Sequence, residues 1–158
     1  MTGGGNLVLV GVLRVTGMEP AQGGLMPLSS EEIVRGNVAI LNGDLLLIDP
    51  LVQSGDHGRI GKRPFLCLKS EGGNSRWMLL TTQISPKRLS LDKWKLPGSA
   101  KWMSDNQYLH DARKIFIGPN ESFMAAALEE LPHRPHRRPS LSEDGVVAVE
   151  LEVEKYLG

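Results

Sequence analysis

Three cations and an imidazole crowd one short stretch of this chain. His57, Arg59, Lys62 and Arg63 lie in or beside a polar, glycine-rich loop over Ser54–Lys62. A guanidinium presents paired planar donors and an ammonium a compact charge, so a loop of this kind suits a phosphate-bearing ligand. Further on, Thr81 and Thr82 end an apolar run, where a hydroxyl could orient a bound phosphate. His57 could act as a base or a phosphate contact, because an imidazole changes charge near neutrality. Each residue also has a plainer reading. Arg63 could simply open a strand ahead of Pro64, the threonines could be ordinary strand residues, and His57 could be an exposed loop side chain.

A second polar cluster, His110, Asp111 and Arg113 in LHDAR, could complete an acid/base site or form only an Asp–Arg surface pair. Trp94 and Trp102 alternate with lysines in KWKLPGSAKWM, a pattern that could stack and hold single-stranded RNA. Tryptophans of a small β domain, Trp77 included, equally fill the edge of a core. His133 and His136 have H-x-x-H spacing but no companion cysteine or carboxylate motif, so no metal site is expected. The run His133–Arg138 fits contact with a nucleic-acid backbone or a solvated linker. Cys67, between Leu66 and Leu68, is expected to be a buried structural thiol. As the single cysteine it cannot form an intramolecular disulfide, which fits a reducing compartment. No nucleotide-binding signature, zinc motif or nucleophile elbow occurs.

Eighteen basic residues balance eighteen acidic ones, so any anion-binding surface must be local. That balance argues against a high-affinity nonspecific DNA binder, whose domains carry excess positive charge. With 158 residues, 41% of them hydrophobic, the chain can build one domain with a real core. No apolar run is long enough to span a membrane. The stretch MTGGGNLVLVGVLRV lacks a basic leader region and is interrupted by Arg14, so the expected location is cytoplasmic.

The elements that must position these groups are mostly short strands. Leu7–Val15 reads as a strand, and 17–27 as a loop. Ser29 or Ser30 caps a short helix through Val34. Val38–Leu41 and Leu45–Asp49 flank Asn42-Gly43, a strong hairpin signal. Pro64–Lys69 and Arg76–Thr82 form a second hairpin around Gly72, Gly73 and Asn74. Residues 85–99 read as a long surface loop, 105–113 as a turn, and Lys114–Ile117 as a strand. Pro119–Leu131 reads as a helix that Asn120 can cap. Val146–Val153 alternates apolar and acidic residues, which predicts a half-exposed edge strand. The expected class is mostly β (α+β): an antiparallel sheet or small barrel with helical additions. One domain is expected over 1–158. Its core covers about 38–131, with an N-terminal extension over 1–37, a connector over 132–140 and a C-terminal strand over 145–155.

GDLLLID at 43–49, the basic loop, KRPFLCL at 62–68 and MLLTTQ at 78–83 together resemble the core of the MazF/PemK/Kid toxin family. The resemblance covers roughly the middle half of the chain and rests on Gly43-Asp44, Arg63-Pro64 and Thr81-Thr82. It implies a small SH3-like antiparallel β-barrel and an endoribonuclease that cleaves single-stranded RNA through the ribose 2′-OH, without metal or cofactor. It also implies a homodimer and a protein antitoxin as partner. Arg63 takes the place of the catalytic arginine and Thr81 that of the active-site threonine. His57 completes the expected catalytic set, with Arg59, Lys62, Thr82, His110, Asp111, Arg113 and Trp102 on the substrate. The chain departs from the pattern at Gln107-Tyr108-Leu109, where the family often has Gln-x-Arg. That departure and the neutral net charge favour two alternatives: a barrel that binds protein or nucleic acid without cleaving it, or a phage or plasmid accessory protein of changed function.

Overall fold

In the computed structural model, residues 27–55, 57–128 and 138–156 are described. The strand expected at Leu7–Val15 and the histidines His133 and His136 lie outside them. The centre is a hairpin of β2, Lys62–Glu71, and β3, Asn74–Thr81. Its turn falls on Gly72 and Gly73, with φ of 61° and 83°. Both positions need the left-handed region that glycine enters without steric penalty, so the GGN triplet sets the register here as expected. Strand β1, Val38–Asn42, pairs antiparallel with the outer side of β2. The other side of β3 pairs with two short strands: β5, Phe116–Pro119, along Asn74–Trp77, and β4, Tyr108–Leu109, along Leu80–Thr81. The result is a five-stranded antiparallel sheet that does not close on itself.

Both faces of this sheet are covered. Consecutive residues of β2 and β3, Phe65–Leu68 and Trp77–Leu80, are buried without alternation. Their side chains point alternately into two apolar layers, as strands buried on both faces must. One layer gathers Ala39, Leu41, Phe65, Cys67, Trp77, Phe116 and Phe123. There Phe65 meets Phe116 edge-on at 5.2 Å, and Trp77 packs on Phe123 at 5.6 Å. The other holds Val38, Leu66, Leu68, Met78, Leu80, Trp102 and Val149. Burying side chains of this size contributes roughly 1.5–3 kcal/mol each. Cys67 is buried as expected, and burial pushes its thiol up to about 12, which keeps it protonated and unreactive.

Two expected strands are helices. Leu45–Asp49 belongs to helix α1, Gly43–Ile48, and Asn42-Gly43 opens it instead of turning a hairpin. Asn42 Oδ1 accepts from the backbone N–H of Asp44 and Leu45, and Asp44 lies in the positive first turn. Of the LLLI run only Leu46 is buried, whereas Leu45 and Ile48 face outward. Gly43 is required by contact, since a Cβ there would lie 2.4 Å from Ile60 Cγ2. The C-terminal segment is likewise helix α4, Glu143–Glu154. Ser142 accepts from the N–H of Gly145, while Val146, Val149 and Val153 form the buried face and Val147 and Leu151 the outer one. The expected mostly-β barrel is therefore an open α+β sheet with helices on both sides.

Of the remaining elements, the short turn after Ser29 and the helix after Pro119 are close to expectation, although Asn120 opens that helix without capping it. The helix at Ala100–Ser104 and the strand at Tyr108–Leu109 were not expected. Ser30–Glu32 forms a 3-10 turn, with Ser29 N–H donating to Glu32 Oε1. Helix α2, Ala100–Ser104, is capped by Ser99 and buries Trp102. Helix α3, Asn120–Ala126, stops short of Leu131 because Ala127 bridges to Leu41 and the N–H of Leu128 donates to Ile40 O. Leu28 and Ile33, assigned from sequence to an N-terminal extension, are packed into the core. No helix among the described residues is long and apolar enough to cross a membrane.

Helix α4 is held by Arg35. Its Nη1 donates to the carbonyl of Leu68 at 3.0 Å, beside the register shift between Cys67 and Lys69. The same guanidinium binds Glu143 and Glu150 of α4, at 2.9 Å and 2.7 Å. Arg35 holds both carboxyls below the usual carboxylate value of 4.5. Groups depressed in the folded state contribute stability that is complete above their unfolded value and is lost as pH falls through the folded one. Arg35→Met is therefore expected to lower the urea midpoint near about pH 7, with the gap to wild type shrinking as pH drops below about 4.5. A gap that stays constant across that range would remove the linkage. Gly43→Ala is expected to destabilise by about 1–3 kcal/mol through its clash with Ile60, although alanine is the better helix former. A stability equal to or above wild type in urea titration would contradict the contact argument.

Candidate functional site

Arg63 is the second residue of β2 and stands opposite Leu41 of β1. Phe65 and Leu79 form the last cross-strand pair of this hairpin, and Arg63 and Thr81 each lie two residues beyond it, on β2 and β3. Both side chains thus leave the sheet on one face, at the end where the apolar layer stops. Arg63 is exposed. Its Nη1 donates to the carbonyl of Lys62 at 2.9 Å, and it meets no carboxylate among the described residues. Thr81 is buried at the end of β3, its backbone paired with Tyr108. Its Oγ1 accepts from the N–H of Gln83 at 3.1 Å, which leaves the hydroxyl proton to donate elsewhere.

His110 follows β4 and completes this strand end. Its N–H donates to Leu79 O at 3.0 Å, and its own carbonyl accepts from Arg88 Nε at 3.1 Å. Arg88 also donates to Gln83 O at 2.9 Å, tying the loop after β3 to the loop after β4. The imidazole is half-buried, and its Nδ1 is sealed from solvent with no hydrogen-bond partner among the described residues. Burial holds its proton affinity below the ordinary value of 6.5. The charge of Arg88 adds to this, Asp111 opposes it, and Lys114 and Arg63 push the same way. Burial and the net positive charge of its neighbours thus both favour the uncharged imidazole at neutral pH.

The other expected residues divide around this centre. Asp111 and Arg113 sit in the same loop but satisfy each other: Arg113 N and Nε both donate to Asp111 Oδ1, and Nη2 to Oδ2. Their hydrogen bonds hold the Asp111 carboxyl below its usual range. His57 lies half-buried with its ring 4.9 Å from Phe116. The surrounding loop is laid along β5, with Gln53 bridged to Ile117 and Gly55 against the Lys114 side chain. Arg59 reaches Asp44 Oδ2 at 3.6 Å with its side chain 94% exposed, and Asp44 Oδ1 accepts from the N–H of Ile60. Lys62 and Thr82 are exposed. Trp102 is not exposed for stacking. It is buried, donates from Nε1 to Leu96 O, and has Lys95 Nζ 5.3 Å from its ring.

Arg88 and Lys114 were missed as members of the site. Arg88 lies 22 residues from His110 in sequence, within a proline- and lysine-bearing loop that carries no motif. Only the pairing of β4 with the end of β3 brings it there. Lys114 sits just past the LHDAR cluster and is near enough to be read with it. Among the described residues no three His, Cys, Asp or Glu side chains group as metal ligands. The arrangement can hold an anion against Arg63, with an uncharged imidazole and a threonine hydroxyl beside it. No protein-family model matches this chain, and neither does any curated protein.

Proposed function

We propose that the strand end around Arg63, Thr81 and His110 binds a phosphodiester of single-stranded RNA and cleaves it by attack of the neighbouring ribose 2′-OH. The observation that carries this reading is the convergence of positive charge on an uncharged, half-buried His110, with the donors of Arg63 exposed and unopposed by a carboxylate among the described residues. Attack by the internal 2′-OH needs proton transfer and stabilisation of a phosphorane that gains negative charge, and both demands fall on side chains. Arg63 supplies two aligned donors to the equatorial oxygens, and Thr81 a hydroxyl at the same strand end. The charges of Arg88 and Lys114 raise the local potential for the anion, while Arg59 and Lys62 on the exposed loop receive the flanking phosphates. The resemblance to the MazF/PemK/Kid family at Arg63-Pro64 and Thr81-Thr82 supports the same roles. Under it, a second copy of the chain and a protein antitoxin are the partners.

Helix α1 in place of a first barrel strand, together with the open sheet, favours a second reading. In it the same cations hold an RNA or other polyanion without cleaving it.

Cleavage separates the two. On the first reading the protein cuts a mixed single-stranded RNA pool in EDTA, leaves 2′,3′-cyclic phosphate ends and spares DNA of the same sequence. Arg63→Ala is expected to slow cleavage on the order of a hundredfold or more, because paired donors to the transition state are lost. Its urea midpoint should stay close to wild type, since the side chain is exposed. Arg63→Lys should recover little, as a point charge cannot reproduce the planar fork. Intact RNA after incubation with nuclease-free protein, alone and with ribosomes, would leave the binding reading standing.

A further inference from the structure

His110 is surrounded in a way that makes its charge depend on what fills the site. Arg88 binds its carbonyl from the loop after β3, Asp111 and Lys114 share its own loop before β5, and Arg63 of β2 adds a weaker positive charge. In the free protein burial is the largest influence against a positive imidazole, the cations among these add to it, and the carboxylate that counters them, Asp111, is already engaged by Arg113. Its backbone is pinned on both sides, by Leu79 O and by Arg88 Nε, which fixes the root of the side chain beside Arg88. A phosphate group lodged against Arg63 would offset part of the opposing positive charge and present an acceptor oxygen to the imidazole. We propose that His110 takes up a proton when a phosphodiester occupies this site, so that ligand binding and protonation are coupled. The inference rests on the reading above that the site accepts nucleic-acid phosphates, but it does not require cleavage.

The sign of the coupling follows from linkage. A group whose proton affinity is higher in the complex than in the free protein tightens binding fully at pH below its free value. That gain is lost as pH rises through its bound value. The free value lies below 6.5, so the gain belongs to mildly acid pH. Because coupling is reciprocal, an imidazole that holds its proton about tenfold more firmly in the complex gives a complex about tenfold tighter at low pH than at high pH.

The probe is a pool of short 2′-O-methyl RNA, which carries the phosphates but cannot be attacked through its own 2′ oxygen. Ring resonances of His110 followed by NMR should titrate below 6.5 in the free protein and higher in the saturated complex. Calorimetry in two buffers of different ionisation enthalpy should show, for a tenfold coupling, uptake of about half a proton per site midway between the free and bound values. His110→Gln keeps a polar group of similar reach. It should abolish the uptake and flatten the pH dependence of binding, while Arg63→Ala should weaken binding at every pH. Uptake that persists in His110→Gln, an unchanged His110 titration in the complex, or failure of the pool to bind would each overturn the proposal. Binding with proton uptake while ordinary RNA stays intact would uphold it and remove the cleavage reading.

Discussion

The Arg35 guanidinium ties the sheet to its C-terminal cover. It donates to Leu68 O, beside the point where the β2–β3 register shifts, and to two carboxylates of α4. Gly36 continues the junction. Its N–H donates to Cys67 O, its carbonyl accepts from Leu141, and its φ of 97° brings the chain close to the Leu141 carbonyl. One turn therefore joins strand β2, the segment leading into α4, and α4 itself. The apolar face of α4, Val146, Val149 and Val153, shares one buried cluster with Leu66, Met78 and Leu80 of the sheet. Planar forked donors suit such a junction, because one group must satisfy acceptors that arrive from different directions.

Covering both sheet faces has a consequence for function. Buried apolar layers leave no room for polar chemistry on the faces, so charged groups gather where strands β2 and β3 run out of the core. Arg63 stands near the start of β2 and Thr81 at the end of β3, and His110 follows β4 with its N–H bonded to Leu79 O, two residues before Thr81. The surrounding cations lie in separate loops, so their charges meet only once the hairpin and β4 are in place. Elsewhere most of the charge is neutralised locally. Arg113 is paired with Asp111, Lys101 with Asp105, and the nearly buried Lys95 with Asp92.

Much of the sheet was legible in the sequence. The runs FLCL and WMLL on either side of two glycines specify a hairpin by local turn chemistry and by apolar strand length. The arginine and threonine of the candidate site were legible through their positions at the ends of those runs, and the LHDAR cluster through its composition. Trp102 was not, since an aromatic flanked by lysines looks the same whether it stacks on a ligand or, as here, fills the core beneath Lys95. Arg88 was invisible, because nothing in a one-dimensional reading places it beside His110.

The amino-acid order alone determined the central hairpin, the burial of Cys67 and the local rather than global character of the positive charge. These depend on turn residues, run lengths and composition, which are local properties. Tertiary structure decided what short segments with two compatible periods became. Val147, Val149, Leu151 and Val153 fit a strand, but Val146, Val149 and Val153 fit a helix face equally well. Arg35, the Ser142 cap and the close seat of Gly145 on Trp94 select the helix. In the same way Asn42-Gly43 can turn a hairpin or cap a helix, and the contact between Gly43 and Ile60 selects the cap. The charge state of His110 is likewise a tertiary property, because it is set first by burial and then by charges from three separate parts of the chain.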